Sequence, residues 1–254
     1  MLDMYDNADI DPAYEFNHKL HIAQNLIGTK IQSQPADTLV ELEIYKYFSP
    51  RSVWEFGAGT GSWAIIMNYL SGHSATFSMT ENFTFVTLDR LRKYRTDNQF
   101  WPETLKELSD HLDNSNSKLG VNMDYELYDK DIYHYLHDIE TPFEFVRLDC
   151  DLEKPHETIE HIIENSTDNL VIIVDDVEPN GCLNRLMLLQ EQVAKGKLRI
   201  FWTGVCTAAW CKPGVDIEPF FSSMELYRSA FKEMFMLGEY TSFGFPQQHL
   251  ITRI

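Results

Sequence analysis

Positive charge is the scarcest commodity in this chain. Its 254 residues carry 21 Lys and Arg against 39 Asp and Glu, a formal net charge of −18. Such a surface repels nucleic-acid phosphates and anionic membranes unless basic residues cluster locally. The densest basic stretch, Leu91-Arg92-Lys93-Tyr94-Arg95, is explained as well by a solvated helix face as by a contact. Neither a nucleic-acid nor a membrane partner is expected. A run of apolar residues long enough to cross a bilayer is missing. The stretch Met1-Leu2-Asp3-Met4-Tyr5-Asp6 is acidic and has no apolar core, so no signal peptide is expected there. Cysteine is sparse as well. Cys150, Cys182, Cys206 and Cys211 stand at irregular spacing, with neither a zinc pattern nor a disulfide framework, and fit reduced thiols in a cytosol. Internal repeats and low-complexity tracts are lacking.

What is present is enough apolar material, 44% of residues, for one substantial core. The chain is organised around Glu55-Phe56-Gly57-Ala58-Gly59-Thr60-Gly61. Val53-Trp54 and Phe56 read as a strand entering this turn, and Ser62 to Leu70 as a helix leaving it. Three glycines let the backbone turn tightly and approach a ligand closely. The spacing Glu-x-Gly-x-Gly-x-Gly differs from the dinucleotide fingerprint Gly-x-Gly-x-x-Gly. Strand, glycine turn and helix open a doubly wound sheet, which binds ligands at the carboxyl ends of its strands.

The rest of the chain reads as alternation. Tyr14 to Ile27 is a helix with Tyr14, Phe16, Leu20, Ala23, Leu26 and Ile27 at helical spacing, stopped by Gly28. Ile31 to Asp37 is a loop, and a second helix runs to Phe48. Later strands are expected at Phe83 to Leu88, Tyr125 to Tyr128, Phe143 to Leu148 and Leu170 to Val174. Residues 71–82 then form an inserted loop. Residues 91–118 read as helix with a polar loop over Asp113 to Ser117. Helices are expected near His156 to Glu164 and Cys182 to Ala194, and a closing hairpin over Leu198 to Trp202 and Val205 to Trp210. A helix over Phe220 to Phe235 and an aromatic tail follow. The expected fold is α/β: a doubly wound, mostly parallel Rossmann-like sheet with helices on both faces and a closing antiparallel hairpin. Residues 1–50 form a helical cap, 51–212 the core, and 213–254 a C-terminal helix and tail packed on it. That tail either closes a pocket or contacts a second subunit, as in a homo-oligomer.

Acids recur where the strands end: Glu55, Asp89, Asp131, Asp149 with Asp151, and Asp175-Asp176. Asp89 is placed to accept two hydrogen bonds from a ribose diol, or to cap the helix after it. Asp131 either lies near a ligand or caps a turn. Asp149, Asp175 and Asp176, on adjacent strand ends, would repel one another and raise one another's pKa values. A hard divalent cation such as Mg²⁺ relieves that repulsion; otherwise the pair caps the next helix. Trp63, Trp101, Trp202 and Trp210 are expected in packing, and His134, His137 and His161 at the surface.

The glycine turn resembles the first motif of class I S-adenosylmethionine-dependent methyltransferases. Phe145-Val146-Arg147-Leu148-Asp149-Cys150-Asp151-Leu152 and Val171-Ile172-Ile173-Val174-Asp175-Asp176-Val177, with Pro179-Asn180-Gly181-Cys182, resemble macrocin O-methyltransferases. Catechol O-methyltransferases share the acidic pattern. The lead-in from Ile31 also resembles cephalosporin-hydroxylase-like proteins. The resemblance implies a methyltransferase that binds S-adenosylmethionine through Glu55, Gly57, Gly59, Gly61, Ser62, Asp89 and Asp131. It implies Mg²⁺ on Asp149, Asp175 and Asp176, where it would acidify a hydroxyl of a small-molecule acceptor such as a sugar or glycosylated metabolite. Relatives carry a Lys or His base three residues after the first metal Asp. Leu152 stands there in this chain, leaving Lys154 or His156 to reach in beside Asp149. A metal-free nitrogen or protein methyltransferase, and a non-catalytic cofactor-binding protein, are the rival expectations.

Overall fold

The computed structural model describes residues 12–29, 35–83, 100–175, 183–203, 206–224 and Tyr227. Seven strands are β1 Ser52–Phe56, β2 Thr76–Thr80, β3 Asp124–Tyr128, β4 Phe143–Leu148, β5 Ser166–Val174, β6 Arg199–Thr203 and β7 Ala208–Cys211. They form one sheet in the order β3-β2-β1-β4-β5-β7-β6. The first five run parallel, and β7 is antiparallel to both β5 and β6. The helices are α1 Pro12–Ile27, α2 Pro35–Phe48, α3 Ser62–Ser71, α4 Leu105–Leu119, α5 Pro155–Glu164, α6 Leu183–Ala194 and α7 Glu218–Met224, with a 3₁₀ turn at Ile132–His134.

Strand alternation sorts the side chains onto two faces. Val53, Phe77, Met79, Phe145, Val171 and Ile173 enter one apolar cluster with residues of α1, α2, α3, α4 and α7. Trp54, Phe56, Val146, Leu148, Ile172 and Val174 enter the other, with residues of α5 and α6. Both faces are covered, as parallel strands require. Tyr45 of α2 meets Phe77 and Phe145 at 6.1 and 5.8 Å between ring centres, which lays α2 on the sheet. Among the described residues no helix is long and apolar enough to cross a membrane.

Several expected boundaries move. The second strand is Thr76–Thr80, inside the supposed inserted loop; of the strand expected at Phe83 to Leu88, all but Phe83 lies outside the described residues. Thr76, Ser78 and Thr80 break the apolar run, yet Ser78 and Thr80 are themselves buried beside Phe77 and Met79. Asp113 to Ser117 is helix, not loop. Thr104 caps the start of α4, Gly120 ends it, Ser115 is buried, and the Tyr125 hydroxyl donates to Asp113 at 2.6 Å. Ser166 to Asn169 belongs to β5, where a register shift against β4 absorbs it. Asp37 lies inside α2, because Pro35 starts that helix. On α1, Tyr14 and Leu26 face solvent rather than the core. The expected positions 84–99, with Asp89, and the tail beyond Tyr227 lie outside the described residues.

Candidate active site

Strand order reverses between β1 and β4, and an open α/β sheet presents its ligand crevice at such a point. The glycine turn sits there. The amides of Gly57 and Ala58 both donate to the Thr80 carbonyl at 3.0 Å, and Gly59 N–H donates to Glu81 Oε2 at 2.7 Å. Gly57 has φ +87°, and a Cβ there would lie 2.5 Å from the Asp149 carbonyl oxygen. Only a residue without a side chain lets the turn pass so near the end of β4. Trp101 stands over Gly59, whose Cβ would meet the ring at 3.3 Å. The Ser62 hydroxyl is shared with those of Thr29 and Thr60, each at 2.6 Å.

Beside this turn lies a cluster that the sequence reading did not foresee. Arg147 of β4 is paired in register with Glu55 of β1 and is 2% exposed. Its Nη1 donates to Glu55 Oε1 at 3.1 Å and to Asp149 Oδ2 at 2.7 Å, and its Nη2 to Asp175 Oδ2 at 2.5 Å. Nε lies 3.7 Å from Glu41 Oε2, reached from α2. Glu41 also accepts from Trp63 Nε1 at 2.5 Å and from the Thr207 hydroxyl at 3.2 Å. Burial opposes the charge on Arg147, but Asp149, Glu41, Asp175 and Glu55 hold its guanidinium well above its ordinary range. One cation cannot neutralise four acids. Burial, against the pull of Arg147, pushes Glu41 and Glu55 each up to about 8, so both keep their protons at neutral pH.

The structure thus brings Glu55, Gly57, Gly59, Gly61, Ser62, Asp149 and Asp175 to one edge. Asp176 and Asp89 lie outside the described residues. Glu81 takes the strand-end position after β2, a residue that the sequence pattern does not single out because it follows a strand lying before the expected one. Both Asp131 oxygens accept backbone N–H groups, from Tyr133 at 2.8 Å and Glu153 at 3.3 Å, so this side chain caps the 3₁₀ turn. Lys154 and His156 are exposed. The Lys154 ammonium lies 5.9 Å from the Tyr133 ring centre and 3.9 Å from Glu157. Trp63, Trp202 and Trp210 are core residues; His134 pairs with Glu153 at 3.1 Å at the surface.

Of the three acids that the resemblance gives to Mg²⁺, Asp176 lies outside the described residues, and the two described, Asp149 and Asp175, are arranged around Arg147 instead. Asp149 and Asp175 already turn an oxygen to Arg147. A Mg²⁺ on those oxygens, at about 2.1 Å, would sit within ~5 Å of a guanidinium nitrogen. Each unit of like charge at that distance costs on the order of 3 kcal/mol at an effective dielectric of about 20. No group of three acids, histidines or cysteines among the described residues is arranged to hold a metal.

No protein-family model matches the chain, and no curated protein matches it. Solved structures do. An O-methyltransferase from Bacillus cereus in complex with SAH is 16% identical with a TM-score of 0.51, covering 83% of this chain and 94% of its own. The SAH-bound Podospora anserina methyltransferase PaMTH1 is 14% identical with a TM-score of 0.53, covering 76% and 87%. The calicheamicin methyltransferase CalS11 is 14% identical with a TM-score of 0.52, covering 79% and 93%. The chain has the fold of the class I S-adenosylmethionine-dependent methyltransferases. At these identities the likeness concerns the fold.

Proposed function

We propose that the chain transfers a methyl group from S-adenosylmethionine to a hydroxyl of a small molecule. The observation that carries this reading is the gathering of Glu55, Glu81 and Asp149 around the Gly57–Gly61 turn at the reversal of strand order. A cationic sulfonium nucleoside suits an edge rich in carboxylates. Glu81, at the end of β2, is positioned to take the ribose diol, and the glycine turn leaves room for the amino-acid part. O-methyltransferases among the structures of like fold support hydroxyl oxygen as acceptor. Sugars and glycosylated metabolites are the first acceptor class to assay, followed by catechols.

The chemistry asks little of the protein beyond placement. Asp149 is the cluster acid with an appreciably exposed side chain, at 25%. It accepts the acceptor's hydroxyl proton as the oxygen attacks the methyl carbon. The C–O bond forms as the C–S bond breaks, the electron pair stays on sulfur, and S-adenosylhomocysteine leaves.

The test is calorimetry with S-adenosylhomocysteine on wild type and Gly59→Arg, followed by transfer of a labelled methyl group to an acceptor panel. Binding lost in Gly59→Arg, with label appearing on an oxygen, is expected. Absence of binding to wild type overturns the proposal, label on nitrogen or a protein redirects it, and binding without turnover on any acceptor leaves a non-catalytic cofactor-binding protein.

A further inference from the structure

We propose that the Arg147 guanidinium is the site's own cation, standing where a divalent metal would otherwise bridge Asp149 and Asp175. This rests on reading the edge as a methyl-transfer site only for its catalytic consequence; the cation assignment stands on geometry. Arg147 joins three strand ends at once. It bonds Glu55 on β1, Asp149 after β4 and Asp175 after β5, and it is 2% exposed. Asp149 and Asp175 are the acids whose mutual repulsion calls for a positive charge, and Glu55 adds a third oxygen to the guanidinium. A planar guanidinium presents several N–H donors in a fixed fork and satisfies more than one carboxylate without exchangeable waters. The fork is held in place from the helical face. The Trp63 ring lies 5.1 Å from the guanidinium carbon, and Trp63 in turn donates to Glu41, whose carboxylate stands 3.7 Å from Arg147 Nε.

Two consequences distinguish this from an ordinary buried ion pair. First, Arg147 is a positioning residue. It fixes Asp149, the acid that reaches the opening, against the same group that holds Glu55. Second, the carboxylates remain a cation site in waiting. Replacing Arg147 with a neutral side chain leaves Glu55, Asp149 and Asp175 facing one another, with oxygen donors that suit a hard divalent ion.

Mn²⁺ alone is the probe, followed by calorimetry and by its electron paramagnetic resonance signal on the full chain. Wild type is expected to show no Mn²⁺ binding that depends on Asp149, and its affinity for S-adenosylhomocysteine is expected to be the same with EDTA or Mg²⁺ present. Arg147→Gln is expected to bind Mn²⁺ at least roughly tenfold tighter than wild type, with the gain lost again in Arg147→Gln/Asp175→Asn. A folded Arg147→Gln that gains no Mn²⁺ affinity overturns the proposal. So does wild-type Mn²⁺ binding that disappears in Asp149→Asn, a comparison that decides the matter even where Arg147→Gln does not fold. Loss of cofactor binding in wild type with the Mn²⁺ pattern intact refutes the methyl-transfer reading and spares the cation assignment.

Discussion

Trp63 and Arg147 are stacked across the sheet face, the guanidinium carbon 5.1 Å from the indole ring centre. The same indole gives its Nε1–H to Glu41 at 2.5 Å. The ring is therefore both a lid on the cation and a donor to one of its acids. Trp63→Phe keeps the lid and removes the donor. Leaving a buried acceptor short of a partner costs about 1–3 kcal/mol. Trp63→Ala removes both and is expected to cost about 3–5 kcal/mol. Urea unfolding curves of the two variants measure the difference; equal losses would show that the ring contributes nothing beyond its donor, and no loss in Trp63→Phe that the donor contributes nothing.

Acid stabilises this cluster. Glu41 and Glu55 hold their protons to about pH 8 in the folded chain, against an ordinary value near 4.5. Between those values the unfolded chain has released protons that the folded chain keeps, so the unfolding free energy falls as pH rises. The contribution is complete below the lower value and lost by the upper one. Glu41→Gln carries no such proton. It is expected to flatten the slope of stability against pH by up to about 1.4 kcal/mol per pH unit in that window. Thermal denaturation across pH 4.5–8.5, about the span set by the linkage, checks it. An unchanged slope would mean that Glu41 is ionised throughout.

Glycine 57 is fixed by its neighbour rather than by its own flexibility alone. Gly57→Ala must push a methyl group against the Asp149 carbonyl, 2.5 Å away, at φ +87°. Gly72 has a similar φ, +65°, with nothing within 4 Å of its Cβ position. Gly72→Ala is expected to cost only the left-handed penalty of about 1–2 kcal/mol. The Gly57 variant is expected to lose more, and to lose affinity for S-adenosylhomocysteine as well. Melting temperatures and calorimetry separate the two.

Glu81 and Asp131 both follow strands, but they do different jobs. Under the proposed reading Glu81 takes the ribose diol, so Glu81→Gln is expected to weaken S-adenosylhomocysteine binding by roughly tenfold or more, hydrogen bonds to charged groups being worth about 1.5–3 kcal/mol. Asp131→Ala is expected to lower stability by about 0.5–2 kcal/mol, the usual cost of a lost cap, with cofactor affinity unchanged. The reverse pattern would return the cofactor role to Asp131.

Lys154 and His156 face solvent at the start of α5. Their alanine variants are expected to fall well short of the roughly 10²-fold loss that removal of a general base causes. Labelled-methyl transfer rates decide; a loss of that size in either variant would make it the base.

Much of this architecture was legible because apolar runs and glycines sit at unambiguous places. β1, the glycine turn, α3, β4 and the apolar half of β5 follow from Val53 to Leu70, Phe143 to Leu148 and Leu170 to Val174. The meeting of Asp149 with Asp175 followed from strand adjacency. Thr76 to Thr80 does alternate hydroxyl side chains with Phe77 and Met79, but it is only five residues long and holds two apolar side chains, so the more apolar stretch from Phe83 to Leu88 draws the strand assignment. With the strand expected later, the strand-end acid reads as Asp89, which lies outside the described residues, and Glu81 is passed over. Arg147 was in plain view as the lone base within a buried strand. Its meaning depends on what packs above it, and Glu41 comes from α2, a helix buried nearly all round. Periodicity reports which face is apolar; it does not report that a polar stripe has turned inward to meet a charge.

The surplus of acid over base around Arg147 also bears on how a catalytic cycle would end. Under the proposed reaction the nucleoside arrives as a sulfonium and departs as an uncharged thioether. The carboxylates at this edge, Glu81 and Asp149, attract the first more strongly than the second. Spent cofactor thus loses the attraction that its sulfonium charge gave it, and fresh cofactor is favoured in its place.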